Sequence, residues 1–449
     1  MLYAAIRAIA RVALRWFYRD IAARHVERIP VAGPVILAAN HNNALVDALL
    51  VASVIHREVR LTAKATLLEH PLTRVLVRGL GIVPLRRVAD ESTTGDHPSS
   101  SRNHGAFETI VSTLAQNRVV LIFPEGISHS GSMLAPLKSG CARIAIQAVR
   151  EGVRDVSIVP IGISFEAKGT PRSRVALLVG QPIPVNEELV ALDTAVKQLT
   201  TRLDAGLRDV TLNFSTHDDA ARVLDVADTL TRVLQDVRSI GDPRPSFADT
   251  IELAERVDRV RRRISEVPLE HVQRIEHFAS DLARWAAEAQ RLDIPLGDVG
   301  MPLGRGSGTW FTVREVLVLL PSAPLAVWGW LNHLLPLRLA VALGRVTAKN
   351  ADEPAMHTLV GGLGLVLLTY GLLAALFDRW FGWAWALGYL VTLPLAASIN
   401  FWWRDRAVAV WRRARGYLSQ RARPERAASL VRERARLRRE AKAIEDLAF

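Results

Sequence analysis

The 449-residue sequence predicts an α/β domain, then a helical region, then C-terminal transmembrane helices. Three patterns carry that expectation. Short Val/Ile-rich runs alternate with helix-like stretches over residues 25–190. Beyond residue 190 the strand-like runs stop, and two long apolar segments follow residue 358.

Residues 1–24 open with an apolar helix carrying Arg7, Arg11, Arg15 and Arg19. Spacing by four gathers these arginines into one stripe opposite Leu2, Ile6, Ile9, Ala13, Trp16 and Phe17. That pattern predicts an interfacial helix on anionic lipid, compatible with packing on the domain, and no cleavable leader is expected. In the domain, VILAAN (35–40), VVLIF (119–123), SIVPIGISF (157–165) and RVALLVG (174–180) read as strands. Residues 47–55, 71–80, 106–116 and 137–150 have helical length and spacing, and residues 88–105 form a polar, Ser/Gly-rich loop.

Residues 191–310 read as Arg/Glu-rich helices, with three-and-four apolar spacing over 266–292 that predicts a helical hairpin or small bundle. His271 and His277 there read as solvated helix residues. Residues 311–403 form the membrane region. The runs 359–377 and 380–403 contain 19 and 24 residues without a charge, each close to the ~20 needed to cross a bilayer as a helix. Trp380, Trp383, Trp385, Trp402 and Trp403 lie near the ends, where amphipathic rings favour the interface. Asp378 and Arg379 leave room only for a tight turn, which predicts a hairpin. Lys349, Arg404, Arg406, Arg412 and Arg413 place its outer ends, and the α/β domain, on the cytoplasmic side of the cell membrane. The apolar stretch 316–337 is interrupted by Pro321, Pro324 and Pro336, which predicts a re-entrant or interfacial segment. Residues 404–449 are expected to form a basic cytoplasmic tail.

Composition narrows the partners. At 49% hydrophobic and 23% charged, the chain is not globally disordered. The single cysteine, Cys141, has no partner for an internal disulfide and reads as buried filler rather than nucleophile. The net charge is +12, and from Phe401 onward 14 Arg and Lys face 6 Asp and Glu. Basic residues beside apolar spans point to lipid head groups, and no nucleic-acid motif accompanies them.

Four segments carry candidate chemistry. The first strand ends in Asn40-His41, and Asp47 follows in the next helix. A carboxylate that holds the Nδ1 proton of histidine leaves Nε2 to deprotonate a hydroxyl. Alone, this pair reads as a capping Asn and a satisfied structural histidine rather than as a catalytic base. The second segment, LIFPEGISHSG (121–131), places Glu125 and Gly126 at a strand end; Pro136-Leu137-Lys138-Ser139-Gly140 then opens a helix whose N–H groups suit an anion. The third, GIVPLRR (81–87), ends in Arg86 and Arg87, suited to bidentate phosphate contact. The fourth, IVPIGISF (158–165), is apolar enough to line an acyl groove, with Arg172 and Arg174 beyond it.

Together, in this order and over about residues 25–190, the four segments resemble the PlsC-type glycerolipid acyltransferase family. The resemblance implies a mixed sheet with flanking helices. It makes His41 the general base, Asp47 its partner, Arg87 an acceptor-phosphate ligand, and Glu125 and Gly126 the acceptor-site pair. Val159, Pro160 and Ile161 would lie beside the acyl chain. Two departures stand out: five residues rather than four separate His41 from Asp47, and FPEGISHS lacks the usual arginine. Both resemble the yeast-type glycerol-3-phosphate/dihydroxyacetone-phosphate acyltransferase branch, as do PLKSG, RSRV and membrane helices after the domain. The missing arginine turns attention to His129, Lys138, Arg172 and Arg174 as acceptor contacts.

The implied reaction moves a fatty acyl group from acyl-CoA or acyl carrier protein to a hydroxyl of glycerol 3-phosphate or dihydroxyacetone phosphate in phospholipid synthesis. No metal, cofactor or covalent enzyme intermediate is expected. The alternatives are acylation of lysophosphatidate or another lysophospholipid and, in a different class, a non-catalytic lipid-binding membrane scaffold. The expected partners are membrane lipid, the acyl thioester and a glycerol-phosphate-type acceptor, with no nucleic acid.

Overall fold

The computed structural model describes residues 2–64, 83–85, 104–129, 131, 133–214, 216–240, 242, 244–263 and 268–448. The chain divides into two compact units. One comprises residues 1–216 with 344–359, and the other comprises 217–343 with 360–449.

The first unit begins with α1 (Leu2–Phe17) and continues through β1 (Asp20–Arg24), β2 (Val35–Ala39), α2 (Ala44–Val54), β3 (Val59–Lys64) and β4 (Val83–Leu85). After these come α3 (His104–Ala115), β5 (Val119–Ile122), α4 (Gly140–Arg150), β6 (Ser157–Phe165), β7 (Arg174–Val179), β8 (Ile183–Pro184), α5 (Glu187–Val190) and α6 (Ala195–Arg208). The strands form one mixed sheet in the order β1-β7-β6-β2-β5-β3-β4, with β8 on β6. Neighbours run parallel except that β6 is antiparallel to both β7 and β8. The two central strands β2 and β5 are fully buried Val/Ile/Leu runs, as a sheet covered on both faces requires. Side chains alternate across it. Val35, Leu37 and Ala39 meet α1 and α2 on one face; Ile36 and Ala38 meet α3, α4 and α6 on the other.

The expected strands over 35–40, 119–123, 157–165 and 174–180 are β2, β5, β6 and β7. Strand β1 was not expected, because DIAAR has little β character. It extends by pairing with β7 at the sheet edge, where tertiary context outweighs propensity. The helix expected over 71–80 lies outside the described residues, as does nearly all of the polar loop 88–105. The basic stripe of α1 is partly committed to the domain. Arg7 donates to the Ile55 carbonyl and Arg11 to the Ser53 carbonyl at 2.9 Å, satisfying the free C=O groups at the end of α2. The compact unit is also wider than 25–190: α1, α6 and residues 344–359 all belong to it.

The second unit is helical. It contains α7 (His217–Leu234), α8 (Phe247–Arg263), α9 (Leu269–Arg291) and most of α10 (Arg305–Thr347). Most of α11 (Pro354–Phe381), then α12 (Trp383–Ala422) and α13 (Pro424–Ala448), complete it. Trp285 of α9 is buried among Leu282, Leu430 and Leu437, and its Nε1 donates to the Leu430 carbonyl at 3.0 Å. The end of the segment expected as a basic tail is thus helix α13, packed on α9. Arg434 in it donates to the carbonyls of Arg232, Val233, Gln235 and Val299, closing the end of α7.

Among the described residues, three helices, α10, α11 and α12, are long and apolar enough to cross a membrane. They expose Leu317, Leu320, Leu367, Leu372, Leu387 and Val391, as lipid-facing positions should. Polar side chains point inward instead: His333 pairs with Tyr370 at 2.6 Å, and Tyr389 donates to Asn332 at 2.5 Å. The prolines of 316–337, expected to make a re-entrant or interfacial segment, do not interrupt the helix. All three lie inside α10. Near them, Ser322 Oγ donates to Val318 O at 2.7 Å and Trp403 Nε1 to Leu319 O at 2.9 Å. The turn expected at Asp378–Arg379 falls at Gly382, whose φ of 85° reverses the chain between α11 and α12.

Candidate active site

Extending the β2–β5 register beyond Ala38↔Ile122 brings His41 level with Glu125 at the carboxyl ends of two parallel strands. The His41 ring stacks on Phe123 at a centroid distance of 4.0 Å and an interplanar angle of 14°. Its Nδ1 donates to Asp47 Oδ2 at 3.0 Å. A carboxylate acceptor there fixes the proton on Nδ1 and leaves Nε2 with the lone pair. Both partners are enclosed: His41 is 7% exposed and Asp47 0%.

The five-residue spacer closes through an unusual turn. Ala44 sits at φ 44°, in the left-handed region, and its N–H donates to Ser128 Oγ at 3.1 Å. Asp47, in the first turn of α2, reaches back to accept the N–H groups of Asn42 at 2.9 Å and Asn43 at 2.7 Å. One oxygen thus takes three donors, and charge-assisted bonds of this kind are the stronger ones. Asn40 binds the sheet on the other side: it donates to Ile163 O at 3.0 Å and accepts from Ile163 N at 2.7 Å, carrying the β2–β6 pairing one step past the strand end.

Glu125 is 1% exposed and knits the site together. Oε1 accepts the His41 N–H at 2.7 Å, while Oε2 accepts the Ala135 N–H at 2.8 Å and the Nε2–H of His129. His129 N donates to the His41 carbonyl at 3.1 Å, and its Nδ1 accepts from Gly131 N at 3.1 Å. Gly126, at φ 74°, makes the turn after Glu125 and lies under the Lys138 stem; a Cβ there would stand 3.1 Å from Lys138 Cδ. A cleft of about 690 Å³ opens beside His129, walled by Met133 to Leu137 and by Thr200, Thr201, Asp204 and Arg208 of α6.

The structure therefore brings together His41, Asp47, Glu125, Gly126, His129 and Lys138. Arg87 lies outside the described residues. Arg172 and Arg174 are engaged elsewhere. Arg172 donates to the Arg15 and Trp16 carbonyls at the end of α1, and Arg174 binds Glu166 at 3.0 Å. Val159, Pro160 and Ile161 are packed core rather than the wall of an open groove, because β6 is covered on both faces. Val159 and Ile161 face the α1–α2 side, and Pro160 lies close to Gly180 and Gly206. The sequence reading missed Tyr18, Asn43, Ser128 and Lys168. Asn43 donates to Tyr18 Oη at 3.0 Å, and burial pushes the Tyr18 phenol far above its ordinary value. Four polar residues in a row, Asn40 to Asn43, beside a buried strand were the available signal.

Residues 20–164, from β1 to the end of β6, match the family model described as Acyltransferase. The chain carries an acyltransferase-family domain. Over 151 residues it is 33% identical to glycerol-3-phosphate O-acyltransferase 1 of Saccharomyces cerevisiae, covering 32% of this chain and 19% of that protein. Glycerol-3-phosphate O-acyltransferase 2 of the same yeast is 36% identical over 85 residues, or 19% of this chain and 11% of that one. An uncharacterised acyltransferase of Schizosaccharomyces pombe is 21% identical over 270 residues, covering 42% of this chain and 40% of its own length. The chain thus matches less than half the length of each of these relatives. Among solved structures, the 1-acyl-sn-glycerophosphate (LPA) acyltransferase PlsC of Thermotoga maritima aligns at a TM-score of 0.33 and 20% identity, over 46% of this chain and 80% of that one. Within the acyltransferase-family domain, His41, Asp47, Glu125 and Gly126 all fall inside the matched segment, whereas Lys168, β7 and α6 lie beyond it.

Proposed function

We propose that this protein transfers a fatty acyl group from an acyl thioester to a hydroxyl of glycerol 3-phosphate or dihydroxyacetone phosphate, in the synthesis of membrane phospholipid. One observation carries the reading: a buried His41–Asp47 pair at 3.0 Å, with His41 tied through its backbone to Glu125. His41 Nε2 takes the acceptor's hydroxyl proton as the oxygen attacks the thioester carbonyl. Asp47 stabilises the imidazolium that forms, the tetrahedral intermediate collapses, and the thiolate of the donor leaves. Glu125, Gly126, His129 and Lys138 shape the acceptor side, and the Lys138 ammonium suits the acceptor phosphate. Arg87 belongs to the same proposal as a phosphate ligand. The reaction draws on no metal or prosthetic group.

The two yeast relatives named glycerol-3-phosphate O-acyltransferases support this acceptor over a lysophospholipid. The three apolar helices support a membrane-bound protein, and Arg404, Arg406, Arg412 and Arg413 within α12 favour a cytoplasmic face for that end of the helix. The test is labelled acyl-CoA given to the purified full chain in phospholipid vesicles, with glycerol 3-phosphate, dihydroxyacetone phosphate or lysophosphatidate as acceptor. Transfer to either of the first two, abolished by His41→Ala, is the expected result. Transfer to lysophosphatidate alone would reject the acceptor assignment, and unchanged transfer by His41→Ala would reject the base and favour a lipid-binding scaffold.

A further inference from the structure

Residues 344–359, comprising the end of α10, the link to α11 and the first turns of α11, belong to the catalytic unit. Ala355 is fully buried in the same apolar cluster as Phe17, Tyr18, Val46 and Leu50, with Met356 and Leu359 packed against it. Pro354 lies against Gly169 in the loop after β6, where an added Cβ would stand 3.5 Å from the proline ring. The residue before that glycine, Lys168, reaches the opposite way. Its Nζ donates to the Asn42 carbonyl at 3.2 Å. Its own carbonyl accepts from Tyr18 Oη at 3.0 Å and Asn43 Nδ2 at 3.5 Å. Lys168 therefore grips both residues whose N–H groups are donated to Asp47.

Charge points the same way. Asp47 Oδ1 is buried and has no hydrogen-bond partner among the described residues, so that side of the carboxylate is met only through space. Burial draws the Lys168 ammonium below its ordinary pKa, while Asp47 on one side and Asp352 of the linker on the other both pull it back up. The two carboxylates thus favour the charged form of an ammonium whose contacts are with the Asn42–Asn43 turn.

We propose that Lys168 is a positioning residue for the His41–Asp47 pair, and that the α10–α11 linker braces it through Asp352 and Pro354. The loop between α10 and α11 is then a working part of the catalytic site. This rests on the reading of His41 as general base. Among the described residues, the charged and titratable groups around the pair are Glu125 and His129 from the loop after β5, Tyr18 after α1, Lys168 after β6 and Asp352 from the linker. Removing the Lys168 cation leaves Asp47 and Asp352 unopposed, which favours the protonated imidazole. The acidic limb of the rate profile then moves to higher pH.

The experiment uses the full chain in phospholipid vesicles with labelled acyl-CoA and glycerol 3-phosphate. It compares the wild type with His41→Ala, Lys168→Met, Lys168→Arg, Asp352→Asn and the Lys168→Met/Asp352→Asn pair. Lys168→Met is expected to lower kcat about 10- to 100-fold, with KM for acyl-CoA changed less than about threefold. Its acidic limb should rise by about half a pH unit, and Lys168→Arg should restore most of the rate. Asp352→Asn should cost about threefold to tenfold alone and nothing further in the Lys168→Met background, as coupled partners do. A Lys168→Met enzyme within threefold of wild type, or one slowed with no shift of the limb and no rescue by arginine, overturns the proposal. Additive losses in the double variant overturn the bracing by Asp352. If His41→Ala is inactive and Lys168→Met is not, this inference alone fails; an inactive wild type or an active His41→Ala takes the functional reading down with it.

Discussion

Substituting Asp47→Asn preserves the side chain's volume but removes charge from an oxygen that accepts three hydrogen bonds, from His41 Nδ1, Asn42 N and Asn43 N. If the amide oxygen keeps those three donors, the new NH2 group takes the place of Oδ1, which is buried without a hydrogen-bond partner among the described residues. Two buried N–H groups left unmet cost about 1–3 kcal/mol in stability. The imidazolium formed during proton transfer also loses a carboxylate 3.0 Å from its ring nitrogen. For unit charges about 4 Å apart at an effective dielectric near 20, the attraction is about 4 kcal/mol, which corresponds to roughly a thousandfold in rate when fully lost. The opposite amide rotamer turns NH2 toward Nδ1 and moves the ring proton to Nε2, which disables the base directly. Both rotamers lower kcat, so the expected loss is about 10²- to 10³-fold, with KM for the acyl thioester little changed. The assay is initial-rate acyl transfer by the purified protein in vesicles, alongside its thermal melting. A folded Asp47→Asn enzyme with kcat within fivefold of wild type would refute the reasoning.

Three further outcomes are expected. Gly126→Ala forces a left-handed residue to carry a side chain 3.1 Å from Lys138 Cδ; it should cost about 1–2 kcal/mol and raise KM for the acceptor more than for the donor, as kinetics against each substrate will show. Burial pushes the Cys141 thiol up to about 12, so at pH 8 almost no thiolate forms. Maleimide should leave the folded protein unlabelled and fully active, and should label it once it is denatured. Trp285→Ala removes a buried ring and its bond to Leu430 O. About 3–5 kcal/mol of packing should be lost, releasing α13 to limited proteolysis while the acyltransferase-family domain keeps its own core.

Much of the domain was legible because fully buried strands must be apolar runs. VVLI and SIVPIGISF could serve as little else, and the mixed sheet places them side by side. DIAAR was not legible, since its extended form comes from β7 rather than from its own residues. The prolines of α10 misled for a related reason. A proline removes one backbone donor, yet the helix runs on through all three, packed against partners such as Trp403 that only the folded bundle supplies.

The site divides along the same line. The sequence by itself determined that His41 and Asp47 are near one another, because six positions at a strand-to-helix junction leave little room to separate. It also determined that a carboxylate and a glycine stand at the end of β5, and that long apolar helices follow. Tertiary structure alone decided that Glu125 holds the His41 backbone, that Arg172 and Arg174 serve the end of α1 and Glu166, and that Lys168 and a linker some 180 residues later close around the Asn42–Asn43 turn. Local spacing is written into consecutive residues. Which distant backbone carbonyl or carboxylate a long cationic side chain finally meets depends on how strands are ordered in the sheet and on which loop covers its end.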